Sequence, residues 1–228
     1  MSCTGKAKGA KNPEVISLNP KEVVLKASRC ITQSGLVKGT WGNVSLLEDD
    51  RVYITPSGVP YDELETDCIA VVDLKTGEQI EGKLRASSEL PMHLQIYRDH
   101  ENIKAIVHIH STFASAFACM RKPIPCFVED QAMILGGTVP VAEYAQAGTW
   151  KLAQNVSRVL EGRFAALLAN HGAVAVGRNM KEALIAAQIL EKSAHIAYLI
   201  GDKGHSLSKE DAKELRTAYL SSYSKGIK

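Results

Sequence analysis

Several things are scarce in this sequence, and each scarcity excludes something. Charge of one sign is missing: 27 basic and 25 acidic residues leave a formal net charge of +2 over 228 residues. That is too little to point to nucleic acid as a partner. No apolar run approaches the ~20 residues that span a bilayer. The lysines near the N-terminus have no apolar segment behind them, so neither a membrane partner nor a secretory signal is expected. The five cysteines (Cys3, Cys30, Cys68, Cys119, Cys126) are odd in number and lack a Cys-x-x-Cys pairing. They read as free thiols, which places the chain in a reducing, cytoplasmic compartment. There is no internal repeat and no linker.

What is present is ordinary globular composition, 45% hydrophobic and 23% charged. Residues 1–13, rich in Gly, Lys and small side chains, are expected to be disordered. Residues 14–228 are expected to form a single domain.

Helices and strands alternate along it. Asn19-Pro20-Lys21-Glu22 starts a helix whose apolar face is Val24, Ala27 and Ile31, with Gly35 as its stop. Val44–Leu47 and Arg51–Ile54 read as a hairpin turning through Glu48-Asp49-Asp50, and Ile69–Leu74 as a further strand. A helix begins near Ser88, with Leu90, His93, Leu94 and Tyr97 on one face. Ala105–Ile109 is a buried strand, followed by a helix capped by Ser111 or Thr112. Val139–Val141 is a short strand, and Gly148-Thr149 opens a helix. Ala165–Leu168 and Ala173–Val176 are strands either side of His171. Asn179 with Glu182 caps a helix running to about Gly201, and Ser208 with Asp211 starts the last one. The fold is therefore mixed α/β.

The chemistry gathers around histidine. His108 and His110 end the apolar run Ala105-Ile106-Val107-His108-Ile109-His110. In a strand, alternate side chains share a face, so the two imidazoles project together. His171, in Asn170-His171-Gly172, also follows an apolar run and is placed to close a divalent metal site. Three protein ligands with one position open is the arrangement of a catalytic metal. His93, on the inner face of its helix, reads as packing or as support for a ligand. His195 follows Glu191 by four residues and reads as its partner. His100 and His205 read as surface residues. Three polar loops, Gly39-Thr40-Trp41-Gly42-Asn43, Thr55-Pro56-Ser57-Gly58 and Ser87-Ser88, offer N–H groups and hydroxyls that bind phosphate without net charge. A metal site with three such loops points to a phosphorylated small molecule. Glu89, at a helix start close behind Ser88, is a candidate base beside the metal.

At these residues the chain resembles the class II aldolase/adducin family, from about Val24 to Leu199. The resemblance rests on Gly39-Thr40-Trp41-Gly42-Asn43-Val44-Ser45, Ile54-Thr55-Pro56-Ser57-Gly58, Ser87-Ser88-Glu89, His108-Ile109-His110 and Asn170-His171-Gly172, in that order. It implies a three-layer α/β/α domain around a mainly antiparallel sheet, in a homotetramer with active sites between subunits. It implies one divalent metal per subunit on His108, His110 and His171: zinc first, with manganese or cobalt as alternatives. It implies Glu89 as catalytic acid/base, and Gly42, Asn43, Ser57, Gly58, Ser87 and Ser88 as the phosphate site. The activity implied is retro-aldol cleavage of a ketose 1-phosphate, of the fuculose 1-phosphate or 5-substituted ribulose 1-phosphate type, to dihydroxyacetone phosphate and an aldehyde.

The chain departs from the family's fuculose-phosphate aldolases in one segment. Those enzymes carry a His-Tyr pair after an Ile-Pro, and the tyrosine is the proton donor to the aldehyde-side alkoxide. Here the segment reads Ile124-Pro125-Cys126-Phe127-Val128-Glu129-Asp130. The donor is then Glu129, Asp130, a bound water or Tyr144, while Tyr219 and Tyr223 are the equivalents of a site-covering C-terminal tyrosine. The alternatives are an L-ribulose-5-phosphate 4-epimerase, a methylthioribulose-1-phosphate dehydratase or a related decarboxylase. The epimerase motif's acid is missing from Gln131-Ala132-Met133-Ile134. A non-enzymatic adducin-like module is disfavoured because all three histidines and Glu89 are kept.

Overall fold

Eight strands form one sheet in the computed structural model, which describes residues 19–221. They are β1 (Asn43–Glu48), β2 (Arg51–Ile54), β3 (Ala70–Asp73), β4 (Gln79–Glu81), β5 (Ala105–Ile109), β6 (Val141–Ala142), β7 (Ala165–Leu168) and β8 (Gly172–Gly177). Their order across the sheet is β4-β3-β2-β1-β5-β8-β7-β6. The β6–β7 pair is parallel and the others are antiparallel. The helices are α1 (Pro20–Gln33), α2 (Leu90–Asp99), α3 (Thr112–Met120), α4 (Glu129–Leu135), α5 (Trp150–Val159), α6 (Met180–Ile200) and α7 (Lys209–Ser221). The expected tail of residues 1–13, Cys3 and Tyr223 lie outside the described residues.

Helices cover both faces of the sheet, which explains why β5, β7 and β8 read as unbroken apolar runs rather than alternating ones. One core joins Val24 and Ile31 of α1, Phe117 of α3 and Leu190 of α6 to Val107, Ile109 and Ala175. The other joins Leu94, Ile96 and Tyr97 of α2 and Val156 of α5 to Ile106, Val174 and Val52. The result is three layers. Within β5, Val107 and Ile109 face the α1/α6 layer, and Ile106 faces the α2/α5 layer. By alternation His108 points the same way as Ile106.

Most helix starts follow the expected caps. Asn19 accepts from Lys21 N rather than from Glu22, Thr149 from Leu152 N, Asn179 from Glu182 N and Ser208 from Asp211 N. At α3 the expectation holds for the position but not for the side chain. Ser111 occupies the N-cap position but its side chain makes no capping bond; the Glu191 carboxylate, arriving from α6, accepts from Phe113 N at 3.0 Å and Ala114 N at 2.9 Å. Glu191 is thereby unavailable to His195, whose ring stacks on Phe113 at 3.9 Å between centroids. His100 is half-buried rather than superficial, with Nε2 3.0 Å from Ser157 O. The strand expected at Val139–Val141 forms at Val141–Ala142, while Val139 bridges to Ile124. Two elements carried no pattern: β4, three exposed residues on the sheet edge, and α4, seven residues long. Met180–Lys203 is long and apolar enough by length and composition to cross a membrane, although Glu191 and Lys192 interrupt it, so it is not an unbroken apolar run. Its apolar side is spent on the core, where Ala183, Ala186, Ala187, Leu190 and Ala194 pack against the sheet.

Candidate active site

The exit of β5 sets the site. His108 is fully buried and His110 half-buried. The connection between β7 and β8 brings His171 beside them. It is a tight turn in which Asn170 takes a left-handed backbone (φ 56°), a conformation asparagine tolerates better than most residues. Arg121 Nε donates to Asn170 Oδ1 at 2.9 Å and holds the turn. Gly172 is required by proximity: a Cβ there would lie 2.5 Å from Ile109 O and 3.3 Å from the His110 ring. Gly42, with φ +118°, is equally confined, since a Cβ would lie 2.8 Å from His108 O. Tyr61 donates its hydroxyl to Gly42 O at 2.5 Å and pins that loop.

The three imidazoles form a triangle, with ring centroids 4.8 to 4.9 Å apart. Glu89, immediately before α2, reaches into it: Oε2 lies 2.8 Å from His108 Nε2, and Oε1 3.4 Å from His171 Nε2. His110 Nε2 lies 2.9 Å from His108 Nε2. His108 Nδ1 faces the Ala173 carbonyl at 3.0 Å. A carbonyl can only accept, so Nδ1 carries a proton, which leaves Nε2 as the nitrogen that can turn to a cation.

A divalent cation fits this set. One donor atom from each of the four side chains lies within 4.8 Å of the others. Nitrogen and carboxylate oxygen are the ligands such ions take. Glu89 Oε1 and His171 Nδ1 are buried without a hydrogen-bond partner among the described residues, so the group of residues is not self-satisfied. Protonation suits a cation at two of the three rings; at His108 burial is outweighed by the Glu89 carboxylate, which raises the imidazole, so an ion there would displace a proton. Burial, reinforced by repulsion from His108 and His171, pushes His110 down to about 3. Burial and His108 likewise lower His171. Burial opposes the charge on Glu89, yet the His108 and His171 imidazoles and the Asn43 amide outweigh it and hold the carboxyl well below the usual range.

Glu89, His110 and His171 line a cleft of about 270 Å³, with His108 buried behind them, together with Thr40, Trp41, Pro56, Ala147 and all six expected phosphate-site residues, Gly42, Asn43, Ser57, Gly58, Ser87 and Ser88. The loops zip together: Ser57 N donates to Arg85 O, Ser87 N to Thr55 O, and Ser88 N to Ser57 Oγ. No lysine or arginine lines the cleft among the described residues. An anion there would rest on hydroxyls, N–H groups and the start of α2. The Asn43 amide is partly committed, donating to Glu89 Oε2 at 3.0 Å and accepting at Oδ1 from His93 Nε2 at 2.5 Å.

The expected proton donors do not line the cleft within one chain. Glu129 is exposed at the start of α4, Asp130 pairs with Lys192, and Tyr219 lies near the Arg216 guanidinium. Tyr144 shares a segment with Ala147 but lines a neighbouring depression with Arg121 and Ala169. Sequence reasoning singled out the loop of Trp41 but not the side chain. That ring is 68% exposed and lies 5.9 Å from the His110 ring; a large aromatic between two glycines was its signal.

Residues 22–198 match the family model described as Class II Aldolase and Adducin N-terminal domain. The chain is 38% identical over 197 residues to a 5-deoxy-D-ribulose 1-phosphate aldolase of Bacillus thuringiensis, covering 85% of this chain and 92% of that one. It is 37% identical over 171 residues to a 5-methylthioribulose-1-phosphate/5-deoxyribulose-1-phosphate aldolase of Rhodospirillum rubrum, covering 75% and 76%. A solved L-fuculose 1-phosphate aldolase superposes with a TM-score of 0.85 at 34% identity, covering 92% of this chain and all of that one.

Proposed function

The chain belongs to the class II aldolase and adducin family, and on that premise we propose that it is a metal-dependent aldolase that cleaves a ketose 1-phosphate to dihydroxyacetone phosphate and an aldehyde. The observation that carries the reading is the convergence of His108, His110 and His171 with Glu89, three of which line a polar cleft. The three imidazoles would hold the ion, zinc in this proposal with manganese or cobalt as substitutes. A divalent cation there supplies Lewis-acid stabilisation for charge developing on the oxygens beside the breaking bond.

The chain's own residues account for the remaining steps. In cleavage, the C4 hydroxyl loses its proton, the C3–C4 bond breaks, and the electron pair stays on C3. Glu89 is the group that moves the proton at C3. Its Oε1 has no hydrogen-bond partner among the described residues, so one oxygen is free for that transfer. Ser57, Gly58, Ser87 and Ser88, with Gly42 and Asn43, bind the 1-phosphate. That binding is remote from the reacting carbon and holds it in place.

The proton at C4 oxygen needs a further carrier. In the fourfold homotetramer we propose, with sites between subunits, a neighbour's Glu129, Asp130, Tyr144, Tyr219 or Tyr223, or a bound water, serves. Residues 14–228 act as one domain in this reading, in the cytoplasm, where free Cys30, Cys68, Cys119 and Cys126 stay reduced. The test is a coupled assay for dihydroxyacetone phosphate over a panel of ketose 1-phosphates with zinc, manganese or cobalt. Release from fuculose 1-phosphate or a 5-deoxy or 5-thio ribulose 1-phosphate is expected. Silence across the panel, with isomerisation of a ketose 5-phosphate, would replace the aldolase by an epimerase.

A further inference from the structure

Behind Glu89 runs a chain of buried hydrogen bonds that the reaction does not itself require. Asn43 Nδ2 donates to Glu89 Oε2 at 3.0 Å, Asn43 Oδ1 lies 2.5 Å from His93 Nε2, His93 Nδ1 lies 2.6 Å from Ser45 Oγ, and Ser45 Oγ lies 2.7 Å from the Tyr97 hydroxyl. All five side chains are buried. Two periodicities produce it. Glu89, His93 and Tyr97 recur every four residues along α2 and its cap, and Asn43 and Ser45 alternate on β1 opposite them.

The chain has one consistent direction. An ionised Glu89 only accepts, so the Asn43 amide turns its nitrogen to the carboxylate and its oxygen to His93. His93 Nε2 must then carry the ring proton, which leaves Nδ1 as an acceptor. Ser45 therefore donates to Nδ1 and accepts from Tyr97. The opposite order would set the amide oxygen against the carboxylate. Burial holds His93 neutral, down to about 3, and a neutral ring is what donating at one nitrogen and accepting at the other demands.

We propose that His93 is a positioning residue for Glu89, locking the Asn43 amide so that Oε2 is held and Oε1 is left to move the substrate proton. The proposal rests on the reading of Glu89 as the proton-moving group. His93 touches neither substrate nor the metal ligands in it; Ser45 and Tyr97 set its tautomer.

The test uses the full-length, metal-loaded protein and the variants His93→Leu, His93→Gln, Ser45→Ala and Tyr97→Phe. Metal content, KM and kcat for cleavage are measured, and ¹⁵N NMR of histidine-labelled protein reads the His93 tautomer without reference to activity. The wild-type ring is expected as the neutral Nε2–H form. His93→Leu is expected to lose 10- to 100-fold in kcat, with metal content unchanged and any rise in KM, through Asn43 at the phosphate site, smaller than the loss in kcat. His93→Gln, which still donates to Asn43, should recover part of that loss. Ser45→Ala should lose 3- to 10-fold and Tyr97→Phe less. An Nδ1–H ring in the wild type overturns the proposal. So does a folded His93→Leu with normal kcat, or one whose lost activity tracks lost metal. If His93→Leu does not fold, Ser45→Ala decides, because it leaves the ring in place; unchanged kcat there overturns the proposal. Near-normal kcat in Glu89→Gln is a separate failure, that of the reading of Glu89 itself.

Discussion

Ser111 donates its hydroxyl to Glu191 at 2.6 Å, across 80 residues of sequence. Ser111 follows His110 directly, so a carboxylate on α6 anchors the segment that carries a candidate metal ligand. The same carboxylate accepts the first free N–H groups of α3. Glu191→Ala removes the acceptor for three donors that are partly buried. It should cost about 2 kcal/mol of stability, read as a lower denaturant midpoint with unchanged slope. It should also weaken metal binding at His110. A variant as stable as wild type would show that water replaces the carboxylate.

Glu89→Gln keeps the shape of the side chain and removes its capacity to move a proton. Turnover should fall about 10²- to 10⁴-fold, the range of general acid–base contributions. Metal content should persist because three imidazoles remain. Metal analysis beside steady-state kinetics checks both halves; joint loss would make Glu89 a required ligand instead.

His110→Ala should lower metal occupancy and activity together, since only two imidazoles then remain with Glu89. His171→Ala should do the same. A His110→Ala protein that retains its full metal complement after dialysis against a weak chelator would remove that residue from the ligand set.

His93 is held neutral at about 3 against an ordinary 6.5. Below pH 6.5 the unfolded chain takes up a proton that the folded chain refuses, so stability is complete at neutral pH and is lost as pH falls from about 6.5 towards 3. At pH 5 the loss from this group is about 2 kcal/mol. His93→Leu should flatten the dependence of stability on pH across that window, whatever its stability at pH 7. An unaltered slope would mean that the ring protonates without unfolding.

Trp41 offers an exposed aromatic face in a cleft whose other walls are mainly polar. Binding of a ketose 1-phosphate with a methyl or thioether end should quench its fluorescence. Trp41→Ala should lower kcat/KM for such a substrate more than for ribulose 1-phosphate, by roughly 10-fold for one lost apolar contact. An equal loss on both would assign the ring to closing the cleft, not to selectivity.

Much of this was legible in particular residues. Alternation put His108 and His110 on one face, and the 4.8 Å between their ring centroids bears that out. The caps at Asn19, Thr149, Asn179 and Ser208 were readable because each satisfies donors within four residues. Glu191 was not readable as a cap, because its partners are about 80 residues away. Nor were the distances between His110, His171 and Glu89, which lie on three separate connections.

Local order and side-chain chemistry are thus properties of the chain alone: where strands and helices fall, which faces are apolar, and that imidazole and carboxylate are available to a cation. These follow from backbone periodicity and short-range hydrogen bonds. Convergence belongs to the tertiary structure. The β1–β5–β8 pairing brings the ends of remote strands together, and the packing of α2 against β1 turns Asn43, His93, Ser45 and Tyr97 into one directed chain behind Glu89. Burial and the neighbours it brings close together decide that His93 stays neutral and Glu89 stays ionised, because the cost of charge depends on what surrounds it.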